Sequence, residues 1–345
     1  MTVKVSKAAL NLREELADLR KPSSIAGEAL LRADSVQEQR DLINAGRKNL
    51  IINGGFDVWQ YGNSYTTSTT GYGQYVATDR WGAYYSGTTI SKQTATINDT
   101  LKNVVRVAAT GSTLYLYQVI ESGSALLANK TISYSYWARA NKNTTISGEN
   151  IGRFCGQNVS SQSSYAIPVF SGHEVSTEWR KITNTVTLTD DSVGQSFDRH
   201  FFFVINISTG VSSGDWIEIA EVQLELGSVA TDFEHRSYGE ELALCQRYYQ
   251  RLSWGGAGAR FGTGIPYGTT QARVTLPVLP VFRMNPTITY SSLDIRQSDA
   301  SANTVNSIAS SGYNLVLVGT SALDITLGVE FRSNAAGHLD FDAEL

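Results

Sequence analysis

The rhythm of apolar and polar positions changes at Asn49. Before it, Val5, Ala9, Leu12, Leu16 and Leu19 recur at spacings of four and three, the a/d seam of a short coiled coil, and Pro22 ends the run. Ser35 and Glu38 then form a capping box for a second helix with Leu42 and Ile43 on its apolar side and Gly46 at its close. After Asn49 the period falls to two. Alternating runs near 79–85, 103–108, 113–120, 130–139, 179–189, 200–207 and 215–226, separated by turn clusters, predict an antiparallel β-sandwich. Asn49-Leu-Ile-Ile-Asn-Gly-Gly-Phe-Asp-Val-Trp59 reads as strand, tight turn, strand. Asp215-Trp-Ile-Glu-Ile-Ala-Glu-Val-Gln-Leu-Glu225 reads as a strand with one buried face, and the two stretches are expected to be the first and last strands of the sandwich.

A helix is predicted over 238–252, with Glu240 and Glu241 in its first turn and a stripe of Leu242, Cys245, Tyr249 and Leu252. Gly255-Gly-Ala-Gly258 releases the chain into a second β region, with an edge strand near Val274 to Phe282 and alternating strands at Asn314–Val318 and Asp324–Phe331. The expected organisation is a helical segment over 1–48, a sandwich over 49–237, a connecting helix over 238–254 and a smaller β domain over 255–345.

Charged residues make up 17 % of the chain, against roughly 25 % in ordinary soluble domains, and the formal net charge is −4. No basic run is present, which argues against nucleic acid as a partner. No apolar run is long enough to cross a bilayer, and the residues after Met1 lack the apolar core of a secretion signal, so assembly in a cytoplasm is expected. Cys155 and Cys245 are too few for a disulfide framework or a zinc site and read as reduced structural thiols.

Asn-Gly-Gly-Phe-Asp at 53–57, Thr78-Asp79-Arg80-Trp81, Tyr134-Ser-Tyr-Trp-Ala-Arg139 and Ile219-Ala-Glu-Val-Gln-Leu-Glu225, in that order, resemble the jelly-roll module of bacteriophage tail fibres. That module is similar in turn to jelly-roll carbohydrate-binding modules. The resemblance covers roughly residues 49–237, and the flanks also look like phage fibre sequence. It implies a virion protein, a homotrimer joined to baseplate or tail proteins through residues 1–48, contacting a glycan on the host surface. A head fibre or fibre adaptor without a sugar site, and a polysaccharide depolymerase, are the alternatives. In the carbohydrate-binding modules a structural calcium is often held between the first and last strands. By resemblance that role falls to Asp57 and Glu221, although Ala220 stands where an acid is common.

The residues themselves offer little catalysis. Gly210-Val-Ser-Ser-Gly214 fits a nucleophile elbow on paper, but Asp215 and Trp216 open a strand where the motif needs a helix, so a hairpin turn is expected. His173, His200, His235 and His338 are scattered, and no acid–base constellation is visible, so no enzymatic activity is expected. Tyrosine-rich, uncharged segments at Tyr61–Tyr75 and Gly148–Ser164 read as loops suited to sugars, which take a flat apolar wall and a few placed polar groups. Tyr61, Tyr65, Tyr72, Tyr75 and Tyr165 are the candidate glycan contacts. Trp59, Trp81, Trp137, Trp179 and Trp216 fall in strands and read as core rather than platform.

Overall fold

The computed structural model describes residues 48–344 apart from 69, 71–74, 76–77, 85, 109–113, 122–126, 128, 156–162, 169–171, 189–198, 208–211, 267–268, 276–281, 285, 298–302, 312–313, 320–322 and 324–328. The chain divides into two units, Met1–Leu50 and Ile51–Leu345. The helices expected before Asn49 lie outside the described residues, as does Tyr72. All that follows concerns the second unit.

Its first part is the expected antiparallel β-sandwich of jelly-roll type. One sheet has six strands in the order β1 (Ser64–Thr66), β3 (Thr89–Ile97), β4 (Thr100–Ala108), β13 (Trp216–Leu226), β6 (Thr131–Ala140) and β11 (Arg180–Thr187). The facing sheet orders β2 (Gly82–Ala83), β5 (Leu114–Ile120), β12 (Arg199–Ile207), β8 (Gly148–Cys155) and β9 (Ser163–Pro168). β3–β4 and β8–β9 are hairpins within one sheet, whereas β4 to β5, β5 to β6 and β12 to β13 pass from one sheet to the other. Because side chains alternate along a strand, Val105, Val107, Ile217, Ile219, Tyr134 and Tyr136 all point inward and are buried. Tyr134 meets Phe203 of the opposite sheet edge-on at 5.4 Å between ring centres. Fully burying one such side chain is worth about 1.5–3 kcal/mol.

The Asn49–Trp59 stretch is not a pair of strands. Residues 51–55 form turns, and 56–59 join no ladder. Asn53 explains this: its side chain donates to the Val58 and Asp79 carbonyls and to Thr78 Oγ1, and its Oδ1 accepts from Val58 N at 3.0 Å. An Asn side chain that satisfies nearby backbone groups competes directly with sheet pairing. Asn53 also takes a left-handed backbone (φ 56°), and Trp81 Nε1 donates to its carbonyl. Two of the sequence motifs are thereby locked together. The expected first and last elements do meet, at a β-bulge: Glu221 has φ 50°, the register shifts between Ala220 and Gln223, and Val222 N donates to Gly54 O at 2.9 Å.

The connecting helix, α1, is shorter than expected and spans Tyr238–Gln246. Ser237 caps it, accepting from Glu240 N. Tyr249 and Leu252 lie beyond it in β14 (Tyr249–Trp254), where aromatic and β-prone residues pair with β22 (Gly337–Asp342) instead of extending the helix. β17 (Thr287–Tyr290) completes that three-stranded sheet. A closed barrel follows, in the order β15 (Arg260–Pro266), β16 (Gln271–Thr275), β20 (Asn314–Gly319), β19 (Asn303–Ser311), β18 (Leu293–Arg296) and β21 (Val329–Ser333). Its core is built on Phe331, Ile295, Leu293 and Val329, with Leu339 and Phe341 from β22.

The segments read as loops around Tyr61–Tyr75 and Gly148–Ser164 contain strands. β1 interrupts the first, and β8 and the start of β9 occupy most of the second. Glycine and serine weakened the alternation there without abolishing the ladders.

Candidate functional site

The outer face of the six-stranded sheet carries the densest grouping of aromatic and charged side chains that are not fully buried. Register sets its membership. Trp216 pairs with Ala108, Glu218 with Arg106 and Arg139, and Ala220 with Trp137, so these side chains share the face opposite the core. Trp137, Trp179 and Trp216 are each half-buried. The expectation that they belong to the core is therefore corrected: each is on the outer face, and only Trp81, fully buried against Phe56, behaves as a core indole. Trp59 is half-buried in the loop after Asn53, its Nε1 donating to the Phe56 carbonyl at 2.6 Å.

Trp137 and Trp179 rest on a small apolar cluster of Ala95, Ile97, Val104 and Ala220. Beside them Glu218, 1 % exposed, holds two guanidinium groups. Arg106 donates through Nε at 2.9 Å and Nη2 at 2.6 Å, and Arg139 through Nε at 2.7 Å. The guanidiniums stack on indoles in turn: Arg106 lies 4.2 Å from the Trp216 ring centre, and Arg139 lies 4.8 Å from Trp179 and 5.9 Å from Trp216. The result is a layered shelf of indole and guanidinium whose parts fix one another.

The rest of the same face is covered. Gln223 and Glu225, after the bulge, hold the returning segment at 231–234: Gln223 Nε2 donates to the Asp232 carbonyl, Gln223 Oε1 accepts from Glu234 N at 2.7 Å, and Glu225 accepts from Thr231 N at 2.7 Å. At the margin Glu221 pairs with Lys102 at 2.5 Å. At the other end, Asn141 and Trp216 exchange backbone and side-chain hydrogen bonds, and Lys142 pairs with Asp215 at 2.6 Å. Beyond it a cleft of about 470 Å³ is lined by Asn143–Thr145, Glu174–Ser176 and Arg180, on the paired strands β7 (Thr144–Ile146) and β10 (His173–Val175).

The tyrosines singled out in the sequence are dispersed. Tyr61 stacks on Tyr249 of β14 at 3.6 Å and 13° between planes, and burial pushes its hydroxyl well above the ordinary phenol range. Tyr75 is 5 % exposed and packs edge-on against Tyr117. Neither is an exposed loop residue, because the barrel side of the molecule covers the outer face of the five-stranded sheet here. Tyr65 is 41 % exposed on β1 but pairs with Ile90, so it belongs to the edge of the inward face. Tyr165 lies in β9 opposite Arg153.

The two residues of the calcium pair are held by neighbouring positions of β4, Asn103 and Lys102. Asp57 accepts from Asn103 Nδ2 at 2.6 Å, and Glu221 is engaged by the Lys102 ammonium. Among the described residues no group of three or more His, Cys, Asp or Glu side chains is positioned to hold a metal ion. Ser212–Asp215 is a turn, with Asp215 N donating to the Ser212 carbonyl and Ser212 N to Asp215 Oδ2, and it leads into β13 as expected. Cys245 is a buried free thiol.

Carboxylates with raised pKa occur elsewhere, under the barrel. Burial pushes Asp79 up to about 6 against hydrogen bonds from Gln60, and pushes Glu344 up to about 7 against the pull of Arg80. Asp79 is 1 % exposed and the Glu344 side chain 4 %, so neither is open to a substrate.

No protein-family model and no curated protein sequence matches the chain. Solved structures with some likeness include a xylan-binding domain, CBM22-1, of Xyn10C from Paenibacillus barcinonensis, at 10 % identity over 48 % of this chain and 94 % of that one, TM-score 0.31. A second xylan-binding domain of the same Xyn10C, CBM22-2, is 10 % identical over 48 % of this chain and 98 % of that one, TM-score 0.33. The enzymatically active domain of tailspike protein 4 of bacteriophage CBA120 is 16 % identical over 52 % of this chain but 21 % of that one, TM-score 0.33. Likenesses of this size carry no functional argument, which rests on the chain's own face.

Proposed function

We propose that this chain is a glycan-binding protein whose site is the open part of the outer sheet face, around Trp137, Trp179 and Trp216, and that it binds without turning its ligand over. The observation that carries the reading is three half-buried indoles on one side of a single sheet, interleaved with polar side chains. Sugars offer apolar C–H faces ringed by hydroxyls, and indole edges beside fixed donors match both halves of that chemistry. The carboxylate on this face, Glu218, is buried and engaged by two guanidinium groups through three hydrogen bonds, which suits it to positioning them rather than to general acid–base work.

The finer role is that of a phage fibre protein, a homotrimer attached to tail proteins through residues 1–48 and exposed to the host surface. It rests on the resemblance in Asn53–Asp57, Thr78–Trp81 and Ile219–Glu225. A head fibre or fibre adaptor would use the same sandwich without the indole face.

Affinity electrophoresis and calorimetry against soluble polysaccharides test the site. Trp179→Ala and Trp137→Ala should each weaken binding roughly tenfold or more, in line with loss of an aromatic anchor, while leaving a cooperative unfolding transition. Retained affinity in a folded double variant would remove the site from this face. Release of reducing ends from any bound polysaccharide would replace binding with depolymerisation.

A further inference from the structure

The charge on the open face runs against that of the whole chain. Lys and Arg number 28 against 32 Asp and Glu overall. On the open face Arg106, Arg139 and Lys181, which pairs with Trp137 across β6 and β11, stand with the single carboxylate of Glu218. Glu218 engages Nε and Nη2 of Arg106 and only Nε of Arg139. That leaves both Arg139 Nη groups, on a side chain 29 % exposed between two indoles, available to an incoming acceptor. The acids at the margin do not cancel this surplus: Asp215 is taken by Lys142 and Glu221 by Lys102, leaving the exposed Glu178 on the turn before Trp179.

We infer that the face selects acidic glycans, those bearing uronate, sialate or sulfate groups, with the anionic group on Arg139 and its sugar ring against Trp179. The inference rests on the glycan-binding reading and names the ligand class for that site. A guanidinium already oriented by Glu218 and flanked by rings loses little freedom on meeting a planar carboxylate, and two parallel N–H groups favour a bidentate pair over a water-mediated one. A neutral glycan could use the indoles but would leave the Nη groups to water.

The test compares ligands matched except for charge. The full chain is titrated by calorimetry with an oligogalacturonide and its methyl ester, with hyaluronan and chondroitin sulfate, and with neutral dextran and xylohexaose. The expected result is binding to at least one acidic ligand about tenfold or more tighter than to its neutral counterpart, weakening several-fold between 50 and 500 mM salt as a charge contact should. Arg139→Gln should abolish the preference and Trp179→Ala the binding itself. Because Arg139→Gln removes a partner of buried Glu218, Lys181→Gln serves as the second variant: Lys181 enters no ion pair among the described residues, and its loss should reduce the preference without loss of stability. Equal affinity for charged and neutral members, or salt-independent binding lost only in Trp179→Ala, overturns acid selectivity and leaves the glycan site standing. Absence of binding to every ligand overturns both.

Discussion

Arg80 and Glu344, 264 positions apart, form an ion pair with both side chains almost wholly buried. Arg80 also donates to the Val119 carbonyl at 2.5 Å, and its guanidinium lies 3.5 Å over the Tyr248 ring. One side chain of the sandwich thus reaches the residues before β14, after β22 and within β5. Gln60 adds a parallel tie, donating to Asp79 and to the Tyr249 carbonyl at 2.8 Å. Arg251 and Asp340 add a bidentate pair across β14 and β22. The sandwich and the three-stranded sheet of β14, β22 and β17 therefore meet through buried polar contacts as well as the Tyr61–Tyr249 stack.

Removing one member of that pair should be costly. Arg80→Gln removes the guanidinium that serves Glu344, the Val119 carbonyl and the Tyr248 ring together, and breaking a buried pair from one side typically costs about 3–5 kcal/mol. Urea unfolding should show a lower midpoint, by an amount far outside that of a surface substitution. A change below roughly 0.5 kcal/mol would mean the pair is solvated in the native protein.

The same site sets a pH dependence. Burial raises Glu344 to about 7 and Asp79 to about 6, above their unfolded values of 4.5 and 3.8. The folded protein therefore binds protons more tightly than the unfolded chain, and the stability this contributes is complete below pH about 4 and lost as pH rises through 6 and 7. Thermal melts between pH 5 and pH 8 should show Tm falling with rising pH from this contribution, by several degrees. Glu344→Gln should flatten the upper part of that slope, and an unchanged slope in the variant would assign it to other groups.

The Asn53 side chain makes four hydrogen bonds, all to the loop at 58 and the segment at 78–79. Asn53→Ala strands the Val58 N–H, takes one donor each from the Val58 and Asp79 carbonyls and from the Thr78 hydroxyl, and puts alanine in a left-handed backbone. Each unmet buried group costs about 1–3 kcal/mol, so the variant should be destabilised by at least 3 kcal/mol in equilibrium unfolding. Asn53→Gly, which relieves only the backbone, should recover a small part of the loss. Near-full recovery would show that backbone strain, and not the side-chain network, dominates.

How much of this the sequence disclosed depends on what each residue had to encode. Ile217, Ile219 and Tyr134 alternate with polar neighbours, so the sandwich and most of its strands were legible. β8 and β9 were not, since Gly148, Gly152, Ser163 and Ser164 interrupt the apolar alternation of strands that the backbone nonetheless pairs. The helix end was misplaced because Tyr249 and Leu252 fit a helical stripe and a strand equally, and only β22, some 90 positions on, decides between them. The indole face was hidden for a related reason. Trp137 and Trp216 sit in strands, as core residues do, and which face they occupy depends on cross-strand register with Ala220 and Ala108. One signal was readable: Trp216, Glu218 and Ala220 alternate against Ile217 and Ile219, so an indole and a carboxylate share the face opposite the isoleucines.

Stability and binding should therefore separate between two sets of aromatic residues. Tyr61 and Tyr75 are packed against Tyr249 and Tyr117, so truncating either to Ala opens a void and should cost about 3–5 kcal/mol, as large aromatic deletions in cores do. Glycan affinity of the folded fraction should be unchanged, because neither ring reaches the outer face of the six-stranded sheet. Tyr65→Ala, at an exposed sheet edge, should alter stability by less than roughly 1 kcal/mol. Trp179→Ala should behave in the opposite sense, with a modest stability loss and a large loss of affinity. Measuring both quantities on all four variants decides the location of the site. If Tyr61→Ala or Tyr75→Ala loses affinity while its unfolding midpoint is unmoved, those rings are available to ligand in solution and the site belongs to the tyrosine side of the sandwich.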